Sequence, residues 1–382
     1  MAFLKEYTSL GSLGSGGFAE VFKVRHNQLG YVRAIRVLNQ IVESEDSQLY
    51  NKFIKECKVL LRLGNGNHPN IVHIYKPYLR DQKAFVDMDY IDGCNVYEYL
   101  EKSNGFLETD EVMQFAKEIS SALSYCHHDI YEYCMDADSD HLESDPEDGS
   151  KYLIDKTKEL ELVNKYKVIH NDMHSGNIMR RKNGGYILLD FGLSIEGDSV
   201  AVSSKRANGA PEYKAPEKWD KDLITEQSDM YGFGCILYMM LAGNPPFPAP
   251  IDYTNSFTAQ KEMYESHKSK TPPSIFPLRK AAFEKKFNKS YEKDYPDWLE
   301  GMILKCLSKR PEDRFQNGHQ FYHEFIRNYI EYGKSVTQDQ TSHDAQFYEM
   351  QIRINKLSKS LDNSKQEIRS LLQALRTLKS KK

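Results

Sequence analysis

The chain has 382 residues, of which 40% are hydrophobic and 28% are charged, proportions typical of a globular protein. The 51 lysines and arginines nearly balance the 55 aspartates and glutamates, so composition gives no support for nucleic-acid binding by phosphate neutralisation. The 25 tyrosines and 18 phenylalanines can form a sizeable core, which excludes disorder throughout the chain.

The N-terminal part of the chain is rich in predicted strands. Runs of β-branched and aromatic residues predict strands at 18–22, 31–38, 71–75 and 83–90. Between the second and third of these, residues 50–63 place apolar side chains at helical spacing. This part is therefore predicted to be a β-sheet accompanied by one helix.

The remainder of the chain is predicted to be mostly helical, apart from two polar stretches. Residues 110–128 show the periodicity of an amphipathic helix. Residues 129–164 are rich in acidic side chains, and we interpret them as an acidic insert with a mobile loop at 136–150. Residues 332–345 are polar and are interpreted as a linker.

Beyond that linker, apolar residues recur every seven positions. One series consists of Phe347, Ile354, Leu361, Ile368 and Leu375. A second series follows three residues later, which is the a/d pattern of a coiled coil. The spacing predicts a C-terminal coiled-coil helix over 346–382 and a homodimer formed through it. An amphipathic helix that folds back on the rest of the chain is the alternative.

Two segments contain residues suited to phosphate chemistry. The first is a glycine-rich turn between two predicted strands, LGSGGFAEV at 13–21. Backbone without Cβ atoms can approach phosphates closely and direct N–H groups at them. Taken alone, this segment is equally compatible with an ordinary hairpin turn.

The second segment is HNDMHSGN at 170–177, followed by DFG at 190–192. Asp172 could orient a substrate hydroxyl and take its proton, as in phosphoryl transfer. Asn177 and Asp190 offer oxygen ligands of the kind that Mg²⁺ prefers. A lone DFG occurs by chance, but its combination with the first motif is specific.

At these residues the sequence resembles the eukaryotic-type (Hanks-type) protein kinases, which include bacterial serine/threonine kinases. Further motifs follow in the family's order, namely Ala215-Pro216-Glu217, the run 228–235, and Arg314. The resemblance implies that Arg314 pairs with Glu217. The resemblance implies a kinase domain over 1–331 with a two-lobed fold of the α+β class, and with ATP and Mg²⁺ in the cleft. A β-rich N-lobe and hinge would occupy 1–91, and a helical C-lobe would occupy 92–331.

The resemblance also implies which residues form the active site. The implied catalytic residues are Asp172, His174, Asn177 and Asp190, of which Asn177 and Asp190 would hold the metal. The residues implied in nucleotide binding are Gly14, Ser15, Gly16, Gly17, Val21, Ala34, Arg36, Glu56, Met88, Asp89, Ile91 and Met179. Within this set, Val21, Ala34 and Met179 would enclose the adenine. Met88 would be the gatekeeper, and the hinge at 89–91 would bond the base. Leu60, Ile74, His170 and Phe191 would stack as a spine.

Four positions depart from the family pattern. Arg36 stands where the family has the lysine that holds the α- and β-phosphates, and a forked guanidinium does not replace a compact ammonium. Lys23, on the preceding strand, is expected to point away and so to offer no substitute. Asn171 replaces the arginine that pairs with a phosphorylated activation loop. His174 stands where serine/threonine kinases have a lysine that contacts the γ-phosphate. Ala210 stands where they commonly have a threonine.

We interpret the chain as an ATP-dependent protein kinase, serine/threonine rather than tyrosine, weakened by Arg36. The alternative is a pseudokinase, a nucleotide-binding scaffold that signals through its shape and tail. A third interpretation, suggested by His174, is a small-molecule phosphotransferase. It is disfavoured because such enzymes lack the docking segment at 209–217 and the Asp229 and Arg314 elements.

Other features bear on localisation and partners. The N-terminus has no apolar run long enough for a signal peptide, and the longest apolar run, 230–241, is too short to span a bilayer. We therefore expect a cytoplasmic protein with a protein substrate and neither a membrane nor a nucleic-acid partner. A zinc site is disfavoured because the spacing fits no standard pattern in the group Cys126, His127, His128, Cys134 and His141.

Overall fold

The computed structural model describes residues 5–15, 19–64, 66–134, 142–144, 151–153, 156–197, 211–220, 223–250 and 257–336. The chain divides into two compact units, 1–325 and 326–382. The predicted coiled coil at 346–382 lies outside the described residues, as do Gly16, Gly17 and Ala210.

The N-terminal part forms a five-stranded antiparallel sheet, in the order β1-β2-β3-β5-β4. Its strands are β1 (Tyr7–Ser15), β2 (Ala19–His26), β3 (Val32–Leu38), β4 (Ile74–Arg80) and β5 (Lys83–Asp89). Helix α1 (Gln48–Gly64) joins β3 to β4. Because side chains alternate between faces along a strand, Val24, Ile35 and Phe85 pack together on one face. The opposite face carries residues that the resemblance implies in nucleotide binding, among them Val21, Ala34 and Arg36.

Strand β4 begins later than the strand predicted at 71–75. It contains Pro77, which has no N–H to donate to a sheet ladder. β4 is an edge strand, and proline is tolerated at that place in a sheet. Upstream, Ile71 makes only an isolated parallel bridge to Leu188.

The rest of the described chain is mostly helical. Its helices are α2 (Val96–Lys102), α3 (Thr109–His127), α4 (Lys156–Tyr166), α5 (Pro216–Asp220), α6 (Glu226–Ala242), α7 (Phe257–Ser269), α8 (Ile275–Phe287), α9 (Asp297–Cys306) and α10 (Gly318–Val336). Short strands are β6 (Gly93–Asn95), β7 (Leu142–Ser144), β8 (Lys151–Leu153), β9 (Val168–Ile169), β10 (Ile178–Arg181), β11 (Tyr186–Leu188) and β12 (Ile195–Glu196). The predicted α+β class, with a strand-rich first part and a helical second part, is confirmed.

Helix α6 is the centre of the helical part. Every residue from 228 to 242 is buried, so the helix is covered on all sides, as expected of a core helix. Thr225 begins it with a capping box that includes Ser228. It ends at Gly243, whose φ of 85° lies in the left-handed region that glycine adopts without strain.

The acidic insert is more ordered than predicted. Strands β7 and β8 form a hairpin in which Leu142 is opposite Leu153, and helix α4 contributes Leu162 and Val163 to a buried cluster with Tyr131. Strand β7 therefore lies inside the mobile loop predicted at 136–150, and the other residues of that loop lie outside the described residues. Acidic residues dominate the composition of the insert. Its few apolar residues nevertheless lie at positions that pair between strands, as Leu142 and Leu153 do, or pack together, as Leu162 and Val163 do.

Helix α10 extends to Val336, so the first residues of the predicted linker at 332–345 are helical. The remainder of that linker lies outside the described residues. No described helix has both the length and the apolar character needed to cross a bilayer.

Candidate active site

The segment 170–177 is held in place by a buried carboxylate on helix α6. The backbone N–H groups of His170 and Asn171 donate to the two oxygens of Asp229, at 2.6 and 2.7 Å. The side chain of Asp229 also accepts a hydrogen bond from His127 Nε2 at 3.1 Å. The other ring nitrogen of His127 accepts from the backbone N–H of Gly318, which places the His127 proton on Nε2. Burial opposes ionisation of Asp229, but His127, His170 and Lys218 hold its pKa below the usual value.

Asp172 is fixed by its neighbours in the same segment. Asn177 Nδ2 donates to the backbone oxygen and to Oδ2 of Asp172, at 2.9 and 3.2 Å. His174 Nε2 lies 3.6 Å from Asp172 Oδ2, and its Nδ1 accepts from Gly176 N–H. Burial would raise the pKa of Asp172, but His174, His170 and Lys218 lower it below the usual value. The carboxylate is therefore ionised at neutral pH and can accept a proton.

Asn171 connects this segment to the residues that follow the DFG motif. Its side-chain Nδ2 donates to the backbone oxygen of Leu193 at 2.9 Å. Its φ of 66° lies in the left-handed region, which asparagine tolerates better than most residues. The side chain at this position therefore binds the backbone of the downstream segment.

The DFG residues adopt a turn beside helix α1. Asp190 has a φ of 49°, and its Oδ1 accepts from Gly192 N–H at 3.0 Å. Phe191 is buried and contacts the ring of His170 edge-on, with centroids 4.7 Å apart. A Cβ atom at Gly192 would lie 3.0 Å from Asp190 Oδ1 and 3.3 Å from Glu56 Oε2. Glycine at this position therefore lets the two carboxylates approach each other.

Arg36 pairs with Glu56 next to these carboxylates. Arg36 lies on the central strand β3, in register with Val21 and Val86, and its Nη1 contacts Glu56 Oε1 on α1. Burial alone would lower the pKa of Arg36, but Glu56 and Asp190 raise it. Burial and Asp190 raise the pKa of Glu56 even though Arg36 opposes this. The Arg36 guanidinium therefore contacts Glu56 and is also influenced electrostatically by Asp190.

The residues predicted to enclose the base lie on one face of the sheet. Val21 is opposite Arg36, and Ala34 is opposite Met88, so these four side chains share a face because opposed residues in a ladder do. Met179 lies on β10, opposite Asn95 of β6. These residues all belong to the first compact unit. Strand pairing brings Val21, Ala34, Arg36 and Met88 together, whereas Met179 belongs to a different sheet.

The predicted hinge, 89–91, begins at Asp89, the last residue of β5. Asp89 donates its backbone N–H to His73 O at 3.0 Å and accepts from Tyr75 Oη at 2.7 Å, and Ile91 follows two residues later. Gly14 and Ser15 end β1, opposite Val21 and Glu20, so they begin the glycine-rich turn. Gly16 and Gly17 in its centre lie outside the described residues.

The expected orientation of Lys23 is wrong. Lys23 is opposite Ala34 in the β2–β3 ladder, so it lies on the same face as Val21. Its ammonium lies 4.0 Å from the ring centre of Tyr90 in the hinge. The physical reason is the two-residue repeat of a strand, which places residues 21 and 23 on one side.

Comparison with known proteins identifies the family. The family described as protein kinase domain matches residues 7–134 and 129–326. The chain belongs to the protein kinase domain family. The resemblance inferred from the motifs is confirmed.

Similar proteins are serine/threonine-protein kinases of bacteria and animals. A probable serine/threonine-protein kinase of Clostridium acetobutylicum is 25% identical over 322 residues, which are 83% of this chain and 39% of that protein. Serine/threonine-protein kinase PknB of Mycobacterium leprae is 25% identical, over 82% of this chain and 42% of the relative. Serine/threonine-protein kinase 36 of Pongo abelii is 25% identical, over 86% of this chain and 20% of the relative. The chain spans less than half the length of each.

The Ala-Pro-Glu motif of the kinase domain is anchored as the resemblance implied. Arg314 forms two parallel hydrogen bonds with Glu217, at 2.8 and 2.9 Å, and both residues are buried. Ser228 Oγ also donates to Glu217 at 2.7 Å. Burial would raise the pKa of Glu217, but Arg314 and Ser228 lower it. This buried pair fixes the end of the segment that begins at Asp190.

Sequence reasoning missed Lys218. Its Nζ donates to the backbone oxygen of Asn171 at 2.6 Å, so it reaches the segment 170–177. Its place directly after the Ala-Pro-Glu motif was the only sequence signal, and that place alone does not indicate the direction of a side chain.

The zinc group considered from sequence is not assembled as such among the described residues. His127 is committed to Asp229. A different trio, His128, Asp129 and His319, brings potential ligand atoms within 4.8 Å of one another. Both imidazole Nδ1 atoms lie against Asp129 Oδ1, at 3.0 and 3.2 Å. These distances are those of hydrogen bonds, so the three groups satisfy one another.

Proposed function

We propose that the protein is an ATP-dependent serine/threonine kinase that phosphorylates hydroxyl groups of protein substrates. The Arg36–Glu56 pair beside Asp190 is the observation that best supports this proposal. It joins the central strand to helix α1 beside the residue expected to hold the metal. Protein kinases require a lysine–glutamate ion pair at this place before phosphoryl transfer, and here arginine stands in for the lysine. ATP is the donor and a protein hydroxyl is the acceptor.

Asp172 performs the proton transfer in this proposal. Its ionised carboxylate, oriented by Asn177, accepts a hydrogen bond from the substrate hydroxyl. As the hydroxyl oxygen bonds to the γ-phosphorus, the bond from that phosphorus to the β–γ bridging oxygen breaks. ADP leaves with the electron pair, and the hydroxyl proton passes to Asp172.

Asn177 and Asp190 fit a hard divalent cation. Asn177 directs its Nδ2 at Asp172, so its amide oxygen is the atom available to a metal. Asp190 supplies a carboxylate in a locally negative site, and carboxylate and amide oxygens are preferred by Mg²⁺. When bound, the ion would neutralise charge on the phosphates of ATP.

Arg36 is expected to weaken this activity. One of its terminal nitrogens is committed to Glu56, while a guanidinium offers five donors in a rigid fork. The remaining donors can reach phosphate oxygens, but not with the geometry of a single ammonium. The same observation favours the second candidate function, a pseudokinase that binds nucleotide and acts as a scaffold. His174 suggests the third candidate, a small-molecule phosphotransferase, but the Glu217–Arg314 pair argues against it.

A radiolabel assay tests the proposal. The full chain is incubated with γ-labelled ATP, Mg²⁺ and a generic basic protein, beside Asp172→Asn and the exposed-site control Asp110→Asn. Label in the protein bands of the parent and control, and none with Asp172→Asn, would support the kinase. Nucleotide binding without label in any band would favour the scaffold. Localisation in the cytoplasm and dimerisation through 346–382 belong to the same proposal.

A further inference from the structure

Two imidazoles and a carboxylate meet at a place away from the candidate active site. His128 directly follows the last residue of α3, Asp129 comes next in the chain, and His319 is the second residue of α10. His128 Nδ1 and His319 Nδ1 lie 3.0 and 3.2 Å from Asp129 Oδ1, and the two rings stack with centroids 4.1 Å apart. Because His319 is 190 positions from Asp129, only the folded chain brings the three groups together.

These distances fit a metal site as well as they fit hydrogen bonds. The potential ligand atoms of the three residues lie within 4.8 Å of one another. Zinc binds nitrogen and oxygen at about 2.0–2.2 Å, so neighbouring ligand atoms of a tetrahedral site are about 3.3 Å apart. The separations from Asp129 Oδ1, 3.0 and 3.2 Å, are close to that value. The hydrogen bonds therefore hold in place the same atoms that a metal ion would use.

Ser124 orients the carboxylate of Asp129. Its Oγ donates to Asp129 Oδ2 at 2.9 Å, which leaves Oδ1 for the two imidazoles. Carboxylates that bind metals are commonly held by a second hydrogen bond of this kind. Ser124 is buried, whereas the side chains of His128, Asp129 and His319 are 27%, 36% and 35% exposed. An ion can therefore reach the three residues from solvent.

The surroundings of the three residues are acidic. Asp129 raises the pKa of His128, and Glu159 of α4 and Glu132 add to this effect, while burial opposes it. Glu132 in turn is influenced by Asp129, His128 and His319. Carboxylates of the acidic insert at 129–164 thus lie close enough to act on the imidazoles. Negative charge at short range also attracts a divalent cation.

We propose that His128, Asp129 and His319 bind a divalent transition-metal ion such as Zn²⁺, through the two Nδ1 atoms and a carboxylate oxygen. Imidazole ligands suit such ions, whereas Mg²⁺ and Ca²⁺ prefer oxygen ligands alone. Each neutral imidazole binds through Nδ1 when its proton is on Nε2. The ion joins the end of α3 to the start of α10, where the acidic insert begins. Of the group considered from sequence, His128 alone takes part.

Isothermal titration calorimetry of the untagged full chain with Zn²⁺ tests the site. Excess Mg²⁺ is present, to fill the proposed site at Asn177 and Asp190. We expect the parent to bind Zn²⁺, and His128→Ala and His319→Ala each to weaken this binding at least about tenfold, since even the residues around zinc ligands typically contribute about 10–100-fold. The matched control, His26→Ala, removes an imidazole from β2 and should leave the affinity unchanged.

Thermal unfolding gives a second readout. An ion that binds only the folded protein raises Tm, so Zn²⁺ should stabilise the parent and His26→Ala but not His319→Ala. If the circular dichroism of a histidine variant shows that it does not fold, Asp129→Asn replaces it, because this change keeps the size of the side chain and removes its charge. It should show the same loss of zinc binding.

Two results would overturn the inference. One is a parent protein that does not bind Zn²⁺. The other is an equal affinity for Zn²⁺ in the parent and in folded variants at positions 128, 129 and 319, which would place the ion elsewhere on the chain. Neither measurement involves ATP or phosphoryl transfer, so the outcome is independent of the proposed function.

Discussion

Arg36 on β3 and Glu56 on α1 form an ion pair that also faces the carboxylate of Asp190. The pair links the sheet to the helix through an arginine, at the position where related kinases use lysine. One terminal nitrogen of Arg36 is committed to Glu56, and Glu56 and Asp190 both raise the pKa of the guanidinium. In the proposed kinase, this pair would leave the fold intact and weaken the contact with the phosphates of ATP.

Replacing Arg36 with lysine should therefore increase the kinase activity. Arg36→Lys places a compact ammonium between Glu56 and Asp190, and we expect autophosphorylation to rise about 100- to 1,000-fold, the usual effect of one preorganised charge contact. Phosphate incorporation from labelled ATP measures the rise. Asp172→Asn should abolish it in both backgrounds. An unchanged rate in Arg36→Lys would favour the scaffold interpretation.

Mg-ATP should stabilise the parent protein against heat. Ligands that bind only the folded state raise the unfolding temperature, and the effect grows with the logarithm of their concentration relative to Kd. Asp190→Ala should lose this shift because it removes a predicted metal ligand, while the exposed-site control Asp110→Ala should keep it. Differential scanning fluorimetry with and without Mg-ATP gives the comparison. Equal shifts in the parent and Asp190→Ala would contradict the assignment of Asp190.

Leu162 should be a structural residue of the insert. It is buried with Tyr131 and Val163, and removing a buried leucine side chain typically costs about 2–5 kcal/mol. Leu162→Ala should lower the free energy of unfolding by that amount, measured by urea denaturation. Leu160→Ala, on the same helix but 61% exposed, should have little effect. Equal effects of the two substitutions would show that α4 does not pack as described.

Because His267 is buried, we expect the folded protein to be less stable in acid. Its side chain is buried, and burial, assisted by Lys309 and Lys214, lowers its pKa from 6.5 to about 3. Because the folded-state pKa is depressed, the unfolded chain takes up this proton first. The contribution is complete above pH 6.5 and falls by about 1.4 kcal/mol per unit as the pH drops towards 3.

Urea denaturation over this pH range tests the prediction. His267→Gln removes the titrating group, so its stability should depend less steeply on pH than that of the parent. Identical slopes in the two proteins would refute the role of His267.

The heptad pattern at 346–382 predicts a dimer. Light scattering at micromolar concentration should give an oligomer for the full chain and a monomer for a chain ending at Val336, the last residue of α10. Apolar residues at a and d bury a seam between helices, and this seam is lost on truncation. A monomeric full-length protein would support the alternative of a helix that folds back.

The sequence by itself determined the family and the local chemistry. Asp172 and Asn177 are five residues apart, and their hydrogen bond is a property of one short segment whose motif is visible in the letters. Likewise, the Glu217–Arg314 pair could be predicted because both residues belong to recognised motifs. The class of fold followed from strand and helix periodicities, which depend on neighbouring residues.

Only the tertiary structure decided which distant groups meet these residues. Arg36 meeting Glu56, Asp229 holding His170, and Lys218 reaching Asn171 all join segments whose separations are not encoded in any local pattern. The position of Pro77 on an edge strand was decided in the same way. The physical reason is that a hydrogen bond or ion pair depends on where the folded backbone places its two ends. Periodicity and motif spacing describe the segment that carries one partner of such a contact, but not where the other partner lies.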